Sequence, residues 1–120
     1  MHEMSLVRSV VSIVTEEAEA AGAAKVTKVH IVLGEGRDIV EDLFESLFQF
    51  LARGTVAEGA RVVLHTRPYM VRCNACGNEF HLIPIDKRTW TCPECGKYKD
   101  YQLVSGMEFY ISKIEASKGN

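Results

Sequence analysis

Cys73-Asn-Ala-Cys76-Gly77 and Cys92-Pro-Glu-Cys95-Gly96 are near-copies of one another, separated by fifteen residues. A Cys-x2-Cys turn aims two sulfurs at one point. A glycine after it can take the left-handed backbone that turns N–H groups toward those sulfurs. Two such pairs this close predict one tetrahedral four-sulfur metal site. The segment around them, residues 71–103, is too short to build its own core, so a metal replaces one. A thioredoxin-like redox pair and chance spacing are the competing explanations. A second Cys-x2-Cys-Gly weighs against both. Iron competes with zinc, because tetrahedral sulfur suits either and the Cys-Pro-x-Cys-Gly form also occurs in rubredoxin. Zinc is favoured because the pairs are close and the segment has few aromatic residues to shield a redox centre. Four thiolates leave zinc no open position for water, so hydrolysis at this site is not expected.

The remaining composition narrows the class. The chain has 120 residues, 47% hydrophobic and 25% charged, which suits one globular domain with a small subdomain. A net charge of -2 and a pI near 6.1 argue against a nucleic-acid binder, which is normally basic. No run approaches the ~18 apolar residues of a membrane helix. No basic stretch leads into an apolar signal region. The expected location is the cytoplasm, where thiols stay reduced and paired cysteines serve metals rather than disulfides.

Outside the cysteine segment the patterning is strongly periodic. Met4, Val7, Val11, Val14, Ala18 and Ala21 form one helical stripe, widened by Val10 and Ile13, with Gly22 as its stop. Residues 25–34 alternate as a strand with Val29, Ile31 and Leu33 on a buried face and Lys28, His30 and Val32 opposite. A second helix is predicted from Asp38, an N-cap paired with Glu41 in a capping box. Ile39, Leu43, Leu47 and Leu51, broadened by Phe44, Phe48 and Phe50, form its apolar face. Residues 61–67 alternate again, with Val62, Leu64 and Thr66 inward, until Pro68. A last strand carries Met107, Phe109 and Ile111 on one face. Strand–helix–strand favours a parallel pair with a right-handed crossover. The expected fold class is α/β: a small mixed sheet of about three strands, two helices packed on it, and an inserted zinc-ribbon-like four-cysteine subdomain. The expected boundaries are 1–70 with 104–116 for the α/β domain and 71–103 for the insert.

The histidines divide into two groups. His30 and His65 fall on the outward faces of two strands, where separate solvated histidines are more common than a shared ligand pair. His81 lies in the insert, where a surface position is favoured over a hydrogen bond to a thiolate. His2 differs because Met1 precedes it and Met1 is not trimmed before so large a residue. The terminal amine, the His2 amide nitrogen and the His2 Nδ1 can close two chelate rings on one ion. Nitrogen donors in a plane suit Ni(II) or Cu(II). Glu3 can complete the plane through its amide nitrogen or its carboxylate. Any chain beginning Met-His has this capacity, so alone it is a weak signal.

Together with the cysteines it becomes specific. "MHE" at 1–3, "VHIVLGE" at 29–35, "GTVAEGA" at 54–60, both knuckles and a final strand ending "ISKIE" span the chain. With them the sequence resembles the HypA family of hydrogenase maturation factors. The resemblance implies a non-enzymatic nickel metallochaperone with His2 as principal Ni(II) ligand and Met1 and Glu3 beside it. It implies structural Zn(II) on Cys73, Cys76, Cys92 and Cys95. It implies a HypB-type GTPase and the large subunit of a nickel–iron hydrogenase as partners, with urease served in some organisms, and leaves a homodimer open. No nucleic acid or membrane is implied. The long insertion that some archaeal relatives place between the cysteine pairs is missing here.

Overall fold

The computed structural model describes residues 3–118. It divides into two compact units. Of the described residues, the first comprises 3–32, 39–65 and 110–118, and the second 33–38 and 66–109.

In the first unit, α1 (Glu3–Ala20) buries Val7, Val10, Val11, Val14 and Ala18, which is the stripe its sequence displays. The stripe is narrower than expected at its edges, because Met4 and Ile13 remain about two-fifths to one-half exposed. α1 stops where Gly22 takes φ +73. The sheet is mixed and three-stranded, with β1 (Lys25–Gly34) between β2 (Arg61–Arg67) and β6 (Phe109–Ser117). Ala24 N–H donates to Ser117 C=O near one end of β1, and Thr27 Oγ1 to Glu115 C=O further along. Residue numbers on β6 therefore fall as those on β1 rise, and the two strands run antiparallel.

α2 (Glu41–Leu51) buries Phe44 and Phe48 completely, and each contributes roughly 2–3 kcal/mol by leaving water. Leu43 and Phe50 stay 43% and 55% exposed, so the buried line of α2 runs through the phenylalanines rather than the every-fourth-residue leucines. β1 corrects a second expectation. Its last four residues, Ile31 to Gly34, are all buried, on both faces of the strand, whereas alternation predicted one buried face. Gly34 leaves no room for a Cβ against the Gly106 backbone.

The N-terminus of α2 also departs from the sequence pattern. Asp38 is not its cap: it takes φ 57 after a short 3-10 turn at Glu35–Arg37. The cap is Val40, which has no capping side chain of its own. Its N–H instead donates to Glu3 Oε2, 2.8 Å away at the start of α1. A carboxylate at a helix N-terminus satisfies an orphan donor and meets the positive end of the helix dipole. Glu3→Ala is expected to cost about 1 kcal/mol of stability, and Glu3→Gln less, because an amide oxygen still accepts. Denaturant midpoints of the metal-loaded variants check this ordering.

The second unit contains a sheet that periodicity did not predict. β3 (Met70–Cys73) pairs antiparallel with β4 (Glu79–His81) on one side and β5 (Tyr101–Ser105) on the other. The strands are three to five residues long and mostly exposed, too short for an alternation signal. Val71 is the buried centre of this sheet, opposite Phe80 and Leu103.

Candidate metal centre

Each cysteine knuckle is assembled from backbone hydrogen bonds before any side chain acts. Cys73 N–H donates to Asn78 C=O at 2.8 Å, and Gly77 N–H to Cys73 C=O at 2.9 Å. The second knuckle repeats this with Cys92 N–H to Lys97 C=O at 2.8 Å and Gly96 N–H to Cys92 C=O at 2.9 Å. Gly77 and Gly96 share φ +81, a conformation that costs a residue bearing a Cβ about 1–2 kcal/mol. The first knuckle continues from β3, where Cys73 faces Tyr101 of β5. A Thr91–Tyr98 bridge closes the second.

These turns bring all four sulfurs within 4.8 Å of one another. Cys73 Sγ lies 3.5 Å from Cys95 Sγ, and Cys76 Sγ 3.6 Å from Cys92 Sγ, so each close contact joins opposite knuckles. A tetrahedron of 2.3 Å metal–sulfur bonds has edges of about 3.8 Å, and the cluster fits it with small adjustment. No disulfide forms among them. Cys73 and Cys92 are buried and Cys76 and Cys95 exposed, which gives the centre one inner and one outer sulfur per knuckle.

The thiols are in competition for charge. At Cys92, desolvation raises the pKa, but N–H donors from Cys95 and Glu94 and the neighbouring thiols outweigh it and draw it down to about 6. At Cys76 the Asn78 N–H pulls the pKa down, while desolvation and contacts with the other three sulfurs push it up to about 12. One thiolate thus forms easily and suppresses its neighbours. A divalent cation lets all four ionise together and releases the remaining protons. Asn78 Nδ2, 3.9 Å from Cys92 Sγ, supplies a further donor that sequence reasoning missed. Its position directly after Gly77 was the available signal.

His81 does not turn toward sulfur. Its Nε2 lies 2.7 Å from Glu35 Oε1, which also accepts the Tyr69 N–H at 3.0 Å. The Tyr69 N–H, then His81, hold the Glu35 carboxyl below its ordinary 4.5. A lowered folded-state pKa stabilises the fold above the ordinary carboxylate range, and that contribution is lost as pH falls through the lowered value. The Glu35 carboxyl signal in an NMR titration is expected to turn below 4.5, and to move upward in His81→Ala. His30 and His65 are not separately solvated: His30 Nδ1 and His65 Nε2 lie 3.0 Å apart.

The family model described as hydrogenase/urease nickel incorporation, metallochaperone, hypA, matches residues 1–116. This chain belongs to the HypA family. Hydrogenase maturation factor HypA of Lawsonia intracellularis is 39% identical over 118 residues, covering 96% of this chain and 98% of that protein. HypA of Dehalococcoides mccartyi is 33% identical over 115 residues, covering 96% and 93%. HypA of Pyrococcus furiosus is 32% identical over 136 residues, covering 98% and 97%. The solution structure of the nickel metallochaperone HypA from Helicobacter pylori matches with a TM-score of 0.63 at 22% identity, covering 99% of this chain and 100% of that one. A second HypA solution structure matches at 0.70 and 24%, covering 99% and 98%. Both show the same fold. The HypA match begins at Met1 and so takes in the Met-His-Glu start. Met1 and His2 lie outside the described residues, while Glu3 lies inside them with its carboxylate at Val40. Among the described residues no helix is long and apolar enough to cross a membrane.

Proposed function

We propose that this HypA-family protein carries Ni(II) at its N-terminus and delivers it for hydrogenase maturation, with Zn(II) held structurally by Cys73, Cys76, Cys92 and Cys95. The observation that carries this reading is the family match over residues 1–116, which includes both the terminal Met-His-Glu and the four cysteines. The cargo ligands are the Met1 amine and the His2 amide and Nδ1, with Glu3 beside them. Zinc supplies a rigid closed centre when bound, and the cysteines with their N–H donors shape it. The four cysteines lie in the unit of residues 33–38 and 66–109, and Glu3 lies in the other.

A carrier must release its ion. A terminal chelate with few covering contacts exchanges its ion with a partner, whereas a buried cage holds it. The partners are a HypB-type GTPase and the hydrogenase large subunit, in the cytoplasm, and the protein performs no catalysis of its own. His2→Ala is expected to remove specific nickel binding while zinc content and folding stay unchanged. Calorimetric nickel titration of the zinc-loaded variant tests this. Unchanged affinity would move the cargo site away from the N-terminus.

A further inference from the structure

The outer face of the first unit's sheet carries a line of three side chains, one from each strand. Glu115 of β6, His30 of β1 and His65 of β2 lie side by side across the strand order β6-β1-β2. Glu115 Oε2 is 2.6 Å from His30 Nε2. The carboxylate therefore fixes the proton of His30 on Nε2 and leaves Nδ1 with the lone pair. His65 Nε2 faces that lone pair at 3.0 Å. The ring centroids are 5.2 Å apart with planes only 15° from parallel. That separation is the N···N distance plus two ring radii, so the rings meet edge to edge rather than face to face.

We propose that His30 Nδ1 and His65 Nε2 form a second site, for a borderline divalent transition-metal ion, with Glu115 as the residue that orients His30. Two imidazole nitrogens bound to one ion at about 2.0–2.1 Å and roughly 90° stand about 3 Å apart, which is the spacing present here. A histidine ligand that donates its other N–H to a carboxylate is the arrangement common to protein metal sites. Imidazole donors suit nickel, copper and zinc. The ion takes the place of the hydrogen now shared between the rings. His65, which is exposed, takes the other tautomer, with its proton on Nδ1, and turns so that its Nε2 lone pair meets the ion. The His30 side chain is only 17% exposed and pinned by Glu115, so it is the fixed half of the pair. Lys113 Nζ lies 3.9 Å from Glu115 Oε2, and Lys28 also acts on that carboxyl. Both oppose a divalent charge. Two imidazoles against two lysines make a weaker site than four thiolates, with its remaining positions open to water or a partner's ligand. This site is independent of the N-terminal one.

The test uses the zinc-loaded full chain with a short Gly-Ser extension before Met1, so that the terminal amine is blocked. Ni(II) is added and the histidine ring and backbone amide signals are followed by NMR. With two imidazoles and water as ligands the ion is paramagnetic, so signals of His30, His65 and their strand neighbours are expected to broaden first. His65→Ala and His65→Gln are expected to abolish that broadening with the rest of the amide spectrum unchanged. Glu115→Gln is expected to weaken it by about 10–100-fold, the usual loss when an orienting partner is removed. Broadening that persists at His30 in both His65 variants would overturn the proposal. So would nickel that reaches His81 before this pair, or that broadens nothing on the sheet. The N-terminal reading is tested on the unextended chain, so either can fail alone.

Discussion

Replacing Cys92 by serine is expected to reduce zinc from one ion per chain to almost none and to unfold the β3–β4–β5 sheet. The second unit has little else at its centre. Its buried apolar side chains are Leu33, Val71, Leu82, Cys73 and Cys92, and two of those five are sulfurs of the cluster. Apparent binding energies of structural zinc are about 10–16 kcal/mol, far more than burial of three aliphatic side chains contributes. The first unit has its own core around Phe44, Phe48, Val7 and Val14, and is expected to remain folded. Elemental analysis gives the zinc content, and hydrogen exchange at Val71 against Val29 separates the units. Full zinc content in the variant would end the four-sulfur assignment. A red native protein with a reversible visible band would keep four sulfurs but put iron in place of zinc.

Blocking the terminal amine is expected to abolish the planar nickel complex even with His2 and Glu3 intact. An amine at position 1 explains why the histidine stands at position 2: amine, amide and imidazole then close adjacent chelate rings. Nitrogen donors in a plane make Ni(II) low-spin, yellow and diamagnetic. The Glu3 carboxylate accepts from Val40 N–H at 2.8 Å in the described structure. The amine must lose its proton to bind, and its reference pKa is about 7.7–8.0, so apparent affinity should rise with pH through the neutral range. Absorption titrations of native, N-terminally extended and C-terminally extended protein decide it. An N-terminally extended chain that binds nickel as tightly, with the same spectrum, would require a site rebuilt from side chains alone.

The elements that were legible in advance are those with enough repeats of their own period. α1 declared itself through Val7, Val11, Val14 and Ala18, and β1 through residues 25–34, because each buries several side chains at regular spacing. The cysteine site was legible because its ligands are local in pairs: each knuckle is closed by hydrogen bonds within six residues. β3, β4 and β5 were not legible, since pairing partners rather than side-chain burial hold strands that short.

The family and the four-cysteine cluster were therefore legible in the sequence alone, through local turn geometry and motifs that together span the chain. Tertiary structure decided everything that depends on distant residues meeting. Asp38 looked like the cap of α2, but the donor at Val40 is satisfied by Glu3, thirty-seven positions earlier. His30 and His65, thirty-five residues apart, looked like separate surface groups until β1 and β2 placed them 3.0 Å from one another, with Glu115 on the other side. Periodicity reports which face a side chain occupies. Which strand lies beside it, and in what register, is settled by the packing of the whole sheet.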